Sequence, residues 1–259
     1  MQLLLASNTQ WVLFSTMMLG IASGIAGSMA YWKKQSLMSD ALAHAALPGI
    51  VIAFMLFQRK ELIVLIIGAA VSAWLGAIFI QTIQGRSRIS EDTAMGMVLS
   101  VFFGLGIMLL TIVNRTAGGS QSGLDYFIFG QAAAMVREDV YMMILLACAV
   151  IFVVSLPFKA WKMYLFDPHF ASGMGLSIKG MNALYLAVFV LTIVIGIQAV
   201  GVILMAALLI IPAASARYWT HSFLWMVVLS GLFGGAAGAV GTVVSIIGKG
   251  WPTGPFIVV

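Results

Sequence analysis

An aspartate and a histidine stand four residues apart, Asp40 and His44, in the segment SDALAHAALPGIVIAF from Ser39 to Phe54, which is otherwise apolar and is broken by Pro48-Gly49. At about 100° per residue an i, i+4 pair lies on one helix face, so a carboxylate oxygen and an imidazole nitrogen can reach the same object. That donor pair suits Mn(II), Fe(II) or Zn(II), whereas Cu(I) prefers thiolate or thioether. The 17 methionines do not argue for copper, because they are spread over nearly every apolar run and read as core filler. The competing reading is that Asp40 caps a helix and His44 bonds a nearby carbonyl. Two ligand types on one face, followed at once by Pro48-Gly49, favour the ion. Pro48 removes the backbone bond to the carbonyl of His44 and loosens the helix beside the pair, so Pro48 and Gly49 are expected to form a hinge. Two side chains make an incomplete site, which suits an ion that has to leave again.

The elements that carry the pair are membrane spans. Of the 259 residues 62% are hydrophobic and 8% charged, and the mean hydropathy is +1.10, outside the range of soluble globular chains. A spanning helix needs about 20 mostly apolar residues. Charged and Gly/Pro-rich breaks cut the chain into eight such segments, near 10–31, 36–57, 62–83, 93–113, 139–157, 182–197, 200–216 and 223–247. The expectation is an all-α integral membrane protein with about eight transmembrane helices in one bundle, a single transmembrane domain over residues 1–259. Only Gly196 to Gly201 separates the sixth and seventh segments, so one kinked span would give seven. If the second helix starts near Lys33 or Lys34, a rise of about 1.5 Å per residue puts the pair roughly 10 to 16 Å from the membrane edge.

Lys and Arg are retained on the cytoplasmic side. With the N-terminus outside, Lys33, Lys34, Arg86, Arg88, Lys159, Lys162, Lys179 and Arg217 are cytoplasmic, against Arg59, Lys60, Arg115, Arg137 and Lys249 outside. The net charge of +5 is therefore read as topology, not as nucleic-acid binding. No Lys or Arg precedes Lys33, so the first apolar run lacks the basic start of a cleavable signal and is expected to stay as a helix. Two stretches do not span. Asn114 to Glu138 holds a short apolar piece expected to be a surface or re-entrant segment. FDPHFASGMG, Phe166 to Gly175, has Asp and Pro placed to start a short helix and Gly to stop it, on the cytoplasmic side where a soluble partner could be met.

Gly20 and Gly24, and Gly231, Gly234, Gly235 and Gly238, signal close helix packing, within the bundle or between two copies. Ser90-Glu91-Asp92 reads as a helix cap, His169 and His221 as solvated, and the lone Cys148 as a buried inert thiol. There is no nucleotide-binding P-loop: Gly248-Lys249 is followed by Gly250, and Val243 stands where the first glycine belongs. Two other readings make demands that the sequence does not meet. A permease for chelated metal, of siderophore or cobalamin type, needs a wide path and no intramembrane ligand pair. An intramembrane metallohydrolase needs a third ligand and a general base, and the sequence offers no candidate for either.

SDALAHAALPGIVIAF closely resembles the hallmark segment of the ABC-type manganese/zinc/iron permeases. GVILMAALLIIPAASAR (Gly201 to Arg217), FDPHFASGMGL and SEDTAMG resemble three further segments of that family, in the family's order. The resemblance implies a bacterial inner-membrane subunit that pairs with a second permease, identical or related, around a central pathway. It implies cytoplasmic ATPase subunits that use ATP, an extracytoplasmic metal-binding protein that delivers the ion, and no permanently bound cofactor. Asp40 and His44 would be the transient metal site. Asp167, Pro168, His169, Phe170, Ala171 and Gly175 would belong to a coupling helix seated in the ATPase.

Overall fold

The computed structural model describes residues 7–57, 61–116, 130, 137–247 and 253–258. The helices are α1 (Ser7–Trp32), α2 (Met38–Phe57), α3 (Leu62–Arg86), α4 (Glu91–Thr116), α5 (Arg137–Ser155) and α6 (Phe158–Phe166), followed by α7 (Pro168–Gly173), α8 (Ile178–Val200), α9 (Val202–Trp219), α10 (Phe223–Ile247) and α11 (Thr253–Val258). Among the described residues there is no strand. Each of the eight predicted segments falls on a long helix. Six of these are long and apolar enough to cross a membrane unaided, and α5 with α6, bent by 68°, makes a seventh at most. Pro157 sits at that bend, where it has no N–H to continue the helix. The alternative of one kinked span over 182–216 is not realised: α8 ends and α9 begins at Gly201, whose φ of +90° is unfavourable for residues with a Cβ. Most of the expected surface or re-entrant segment, 117–129 and 131–136, lies outside the described residues.

α8 is the most enclosed of the six spans and α4 the least. The outward residues of α4, among them Met97, Val101, Met108 and Ile112, are as apolar as the core, which fits lipid and not water. Cys148 was expected to be buried, and it is exposed. It lies on the outer face of α5 with Tyr141, Leu145 and Phe152, while Met143, Ala147 and Val150 occupy the inner face. An all-apolar helix gives no sequence contrast between those two faces.

The glycines work inside the bundle. α1 crosses α10 so closely that a Cβ on Gly20 would run into the carbonyl of Gly234, and one on Gly24 into that of Ser230. Ser230 Oγ donates to the Gly24 carbonyl at 2.5 Å, and the hydroxyls of Thr16 and Thr242 meet at 2.8 Å. Small residues bring the backbones together, and hydroxyls bridge them where no hydrophobic effect separates helix from lipid.

Candidate metal site

α1 turns into α2 through a left-handed cap. Gln35 N donates to Ala30 O and Lys34 N to Tyr31 O, with Lys34 at φ +58° in the position usually held by glycine. α2 then begins at Met38, several residues later than Lys33 or Lys34. Asp40 consequently lies in the first turn. Counted from the start of the helix, the pair is about 3 to 9 Å along the axis. The helix dipole favours a carboxylate there, so Asp40 also serves the helix end.

Asp40 and His44 do share a face: Asp40 Oδ1 lies 3.4 Å from His44 Nε2. That is long for a hydrogen bond between N–H and oxygen. It is close to the separation, about 3.4 Å, of two ligands each about 2.1 Å from one tetrahedral centre. The Asp40 side chain is 38% exposed and that of His44 15%, so the pair opens on one side. His44 Nδ1 is buried and has no hydrogen-bond partner. The edge of Phe103 from α4 packs against the imidazole, with ring centroids 4.7 Å apart. No cluster of three or more His, Cys, Asp or Glu side chains occurs among the described residues. The pair thus offers two donor atoms 3.4 Å apart and no third His, Cys, Asp or Glu beside them among the described residues.

The helix around it is tightly supported. α2 is continuous through Pro48, and both Pro48 and Gly49 are buried. Pro48 faces Gly106 of α4, and Gly49 lies against the backbone of Gly68 in α3. Ser72 of α3 donates to the Ala45 carbonyl at 2.6 Å, one residue from His44.

The second motif forms the short helix α7. Asp167 caps it by accepting from Phe170 N at 2.9 Å, and Pro168 occupies its first turn. Leu176 N donates to Ala171 O and Gly175, at φ +85°, closes the end. Ala171 is buried, while His169, Phe170 and Met174 are exposed. His221, between α9 and α10, is also exposed, so neither of the other histidines joins the pair.

Sequence reasoning missed Lys33. Its Nζ is drawn inward to donate to Tyr164 Oη of α6 at 2.9 Å and Asn182 Oδ1 of α8 at 3.2 Å. It also stands over the Tyr185 ring, 4.3 Å from the centroid. Burial lowers its pKa to about 8, and the Glu91 carboxylate partly offsets that fall. Nothing local signals this, since the partners are 131 and 149 residues away in sequence.

A bundle of apolar helices, six of them long and apolar enough to cross a bilayer, is that of a multi-pass membrane protein. The ABC 3 transport family profile matches residues 6–259, and the chain belongs to that family. The manganese transport system membrane protein MntC of Bacillus subtilis is 46% identical over 97% of this chain, which spans 58% of that relative's length. The zinc transport system membrane protein TroC of Treponema pallidum is 42% identical over 96% of this chain and 84% of its own. Among solved structures, PsaBC from Streptococcus pneumoniae in complex with Fab aligns with a TM-score of 0.85 at 32% identity, over 98% of this chain and 88% of that one. The family read from the motifs is thus the family found.

Proposed function

We propose that this chain is the permease subunit of an ABC importer that passes a divalent transition metal ion, Mn(II), Zn(II) or Fe(II), into the cytoplasm of a bacterium across its inner membrane. The ion is substrate, received from an extracytoplasmic metal-binding protein and held in passing by Asp40 and His44. A second permease subunit, identical or related, lines the other side of the path and completes the coordination. ATP is hydrolysed in separate cytoplasmic subunits, on which α7 docks through Phe170 and Met174, with Asp167, Pro168, His169, Ala171 and Gly175 setting its shape. Pro48 and Gly49 let α2 flex as the bundle alternates between outward and inward forms.

The observation that carries this reading is the 3.4 Å approach of Asp40 Oδ1 and His44 Nε2 on an open face, with no third His, Cys, Asp or Glu beside them among the described residues. Relatives named for manganese and for zinc support it. The test is uptake of the three ions, in competition, by proteoliposomes holding the whole complex. Asp40→Ala and His44→Ala each lower import about 100-fold, comparable with the upper range for disturbed metal sites. Undiminished import by both variants contradicts the site.

A further inference from the structure

The turn between α1 and α2 begins at Lys33, seven residues ahead of Asp40, and Lys33 and the adjacent Trp32 pin it to the helices flanking α7. Trp32 packs on Phe166, the last residue of α6, with centroids 4.5 Å apart, and Phe166 in turn meets Phe223 of α10. Lys33 bonds to Tyr164 of α6 and Asn182 of α8, and Tyr164 Oη donates to Asn182 Oδ1 at 2.9 Å. Gln35 of the same turn donates to Glu91 at the start of α4, the helix that carries Phe103 to His44. α7 itself is fastened to the bundle by little more than Ala171, so a push on it is delivered through α6 and α8. Both of those elements grip Lys33.

Polar groups so placed are costly in an apolar bundle, and an ammonium most of all. Topology alone needs a lysine in water, which Lys34, exposed beside it, already supplies. We propose that Lys33 is a positioning residue of the transport cycle, a pin that transmits movement of the α6–α7–α8 unit to the α1–α2 turn and so to Asp40 and His44. The inference rests on the reading of α7 as the ATPase dock and of Asp40 and His44 as the ion site. The groups facing Lys33 are Tyr164 from α6, Tyr185 and Asn182 from α8 and Glu91 from α4, so loss of its charge leaves only neutral partners and one carboxylate.

The experiment uses the complete complex in proteoliposomes with Mn(II), its loaded binding protein and ATP, and records ions imported per ATP hydrolysed. Lys33→Met is expected to lower that ratio about tenfold, the size of an ordinary coupling energy, with ATP turnover and equilibrium Mn(II) binding unchanged. Tyr164→Phe removes one oxygen and no packing, and lowers the ratio about threefold. Because both act through one link, the double variant is no worse than Lys33→Met alone. The wild-type ratio falls as pH rises through about 8, and that of Lys33→Met is flat. A wild-type ratio in both single variants overturns the proposal, as do effects that multiply in the double variant. Failure of the underlying reading looks different: import then survives Asp40→Ala, or Phe170→Asp in α7 leaves the ATPase bound and stimulated.

Discussion

Two polar clusters lie on either side of the α1–α2 turn, and they are finished to different degrees. At Lys33 the ammonium meets two oxygen acceptors and an aromatic face, and the acceptors meet each other. At Asp40 and His44 there is one 3.4 Å contact, and a buried imidazole nitrogen has nothing to bond. The unpartnered nitrogen is His44 Nδ1, while Nε2 is the one that faces the Asp40 carboxylate across an open 3.4 Å gap. The Lys33 ammonium is satisfied within the chain, although Trp32 Nε1, Gln35 Oε1 and Tyr185 Oη around it are buried without a hydrogen-bond partner, whereas the Asp40–His44 pair makes one long contact. Ser72 of α3 bonds to α2 beside the pair, and Phe103 of α4 packs on the imidazole.

If that contrast is right, damage to the two clusters should have opposite signs in stability. The largest effect is expected from Asn182→Leu, which takes an acceptor from both Lys33 and Tyr164 and should cost about 3 kcal/mol in thermal unfolding of the purified protein. Next is the pH dependence due to Lys33. Its pKa falls from 10.5 unfolded to about 8 folded, so between those values the unfolded chain holds the extra proton, and stability rises with pH across that window. Subtracting the unfolding curve of Lys33→Met from that of wild type isolates the rise, and a flat difference breaks this side of the comparison. His44→Leu removes an unsatisfied buried nitrogen and should gain about 1 kcal/mol while abolishing import. A loss as large as that of Asn182→Leu would make His44 structural. The smallest effect belongs to the turn itself: Lys34→Gly relieves the left-handed strain and should add at most about 1 kcal/mol, read as a higher unfolding temperature.

The pair was legible because i, i+4 spacing is a property of the helix alone, and so were the spans, because charge and Gly/Pro breaks punctuate apolar runs. The α7 caps at Asp167, Pro168 and Gly175 were readable for the same local reason. The start of α2 lies later than the hydropathy pattern suggests because the cap at Lys34 and the following turn use residues that such a pattern assigns to the helix. Cys148 was placed on the wrong side because a helix that is apolar all round carries no inward mark. Lys33 was read as a topology signal, since its role exists only once Tyr164 and Asn182 are folded against it.

The central claim is that Asp40 and His44 form a deliberately incomplete site. Equilibrium binding of Mn(II) and Zn(II) to the assembled, nucleotide-free complex tests it most directly. Half-saturation is expected at about 1 μM or weaker, with loss of binding in the Asp40→Ala/His44→Ala double variant. Binding a thousandfold tighter, or binding at wild-type strength in that double variant, would contradict it.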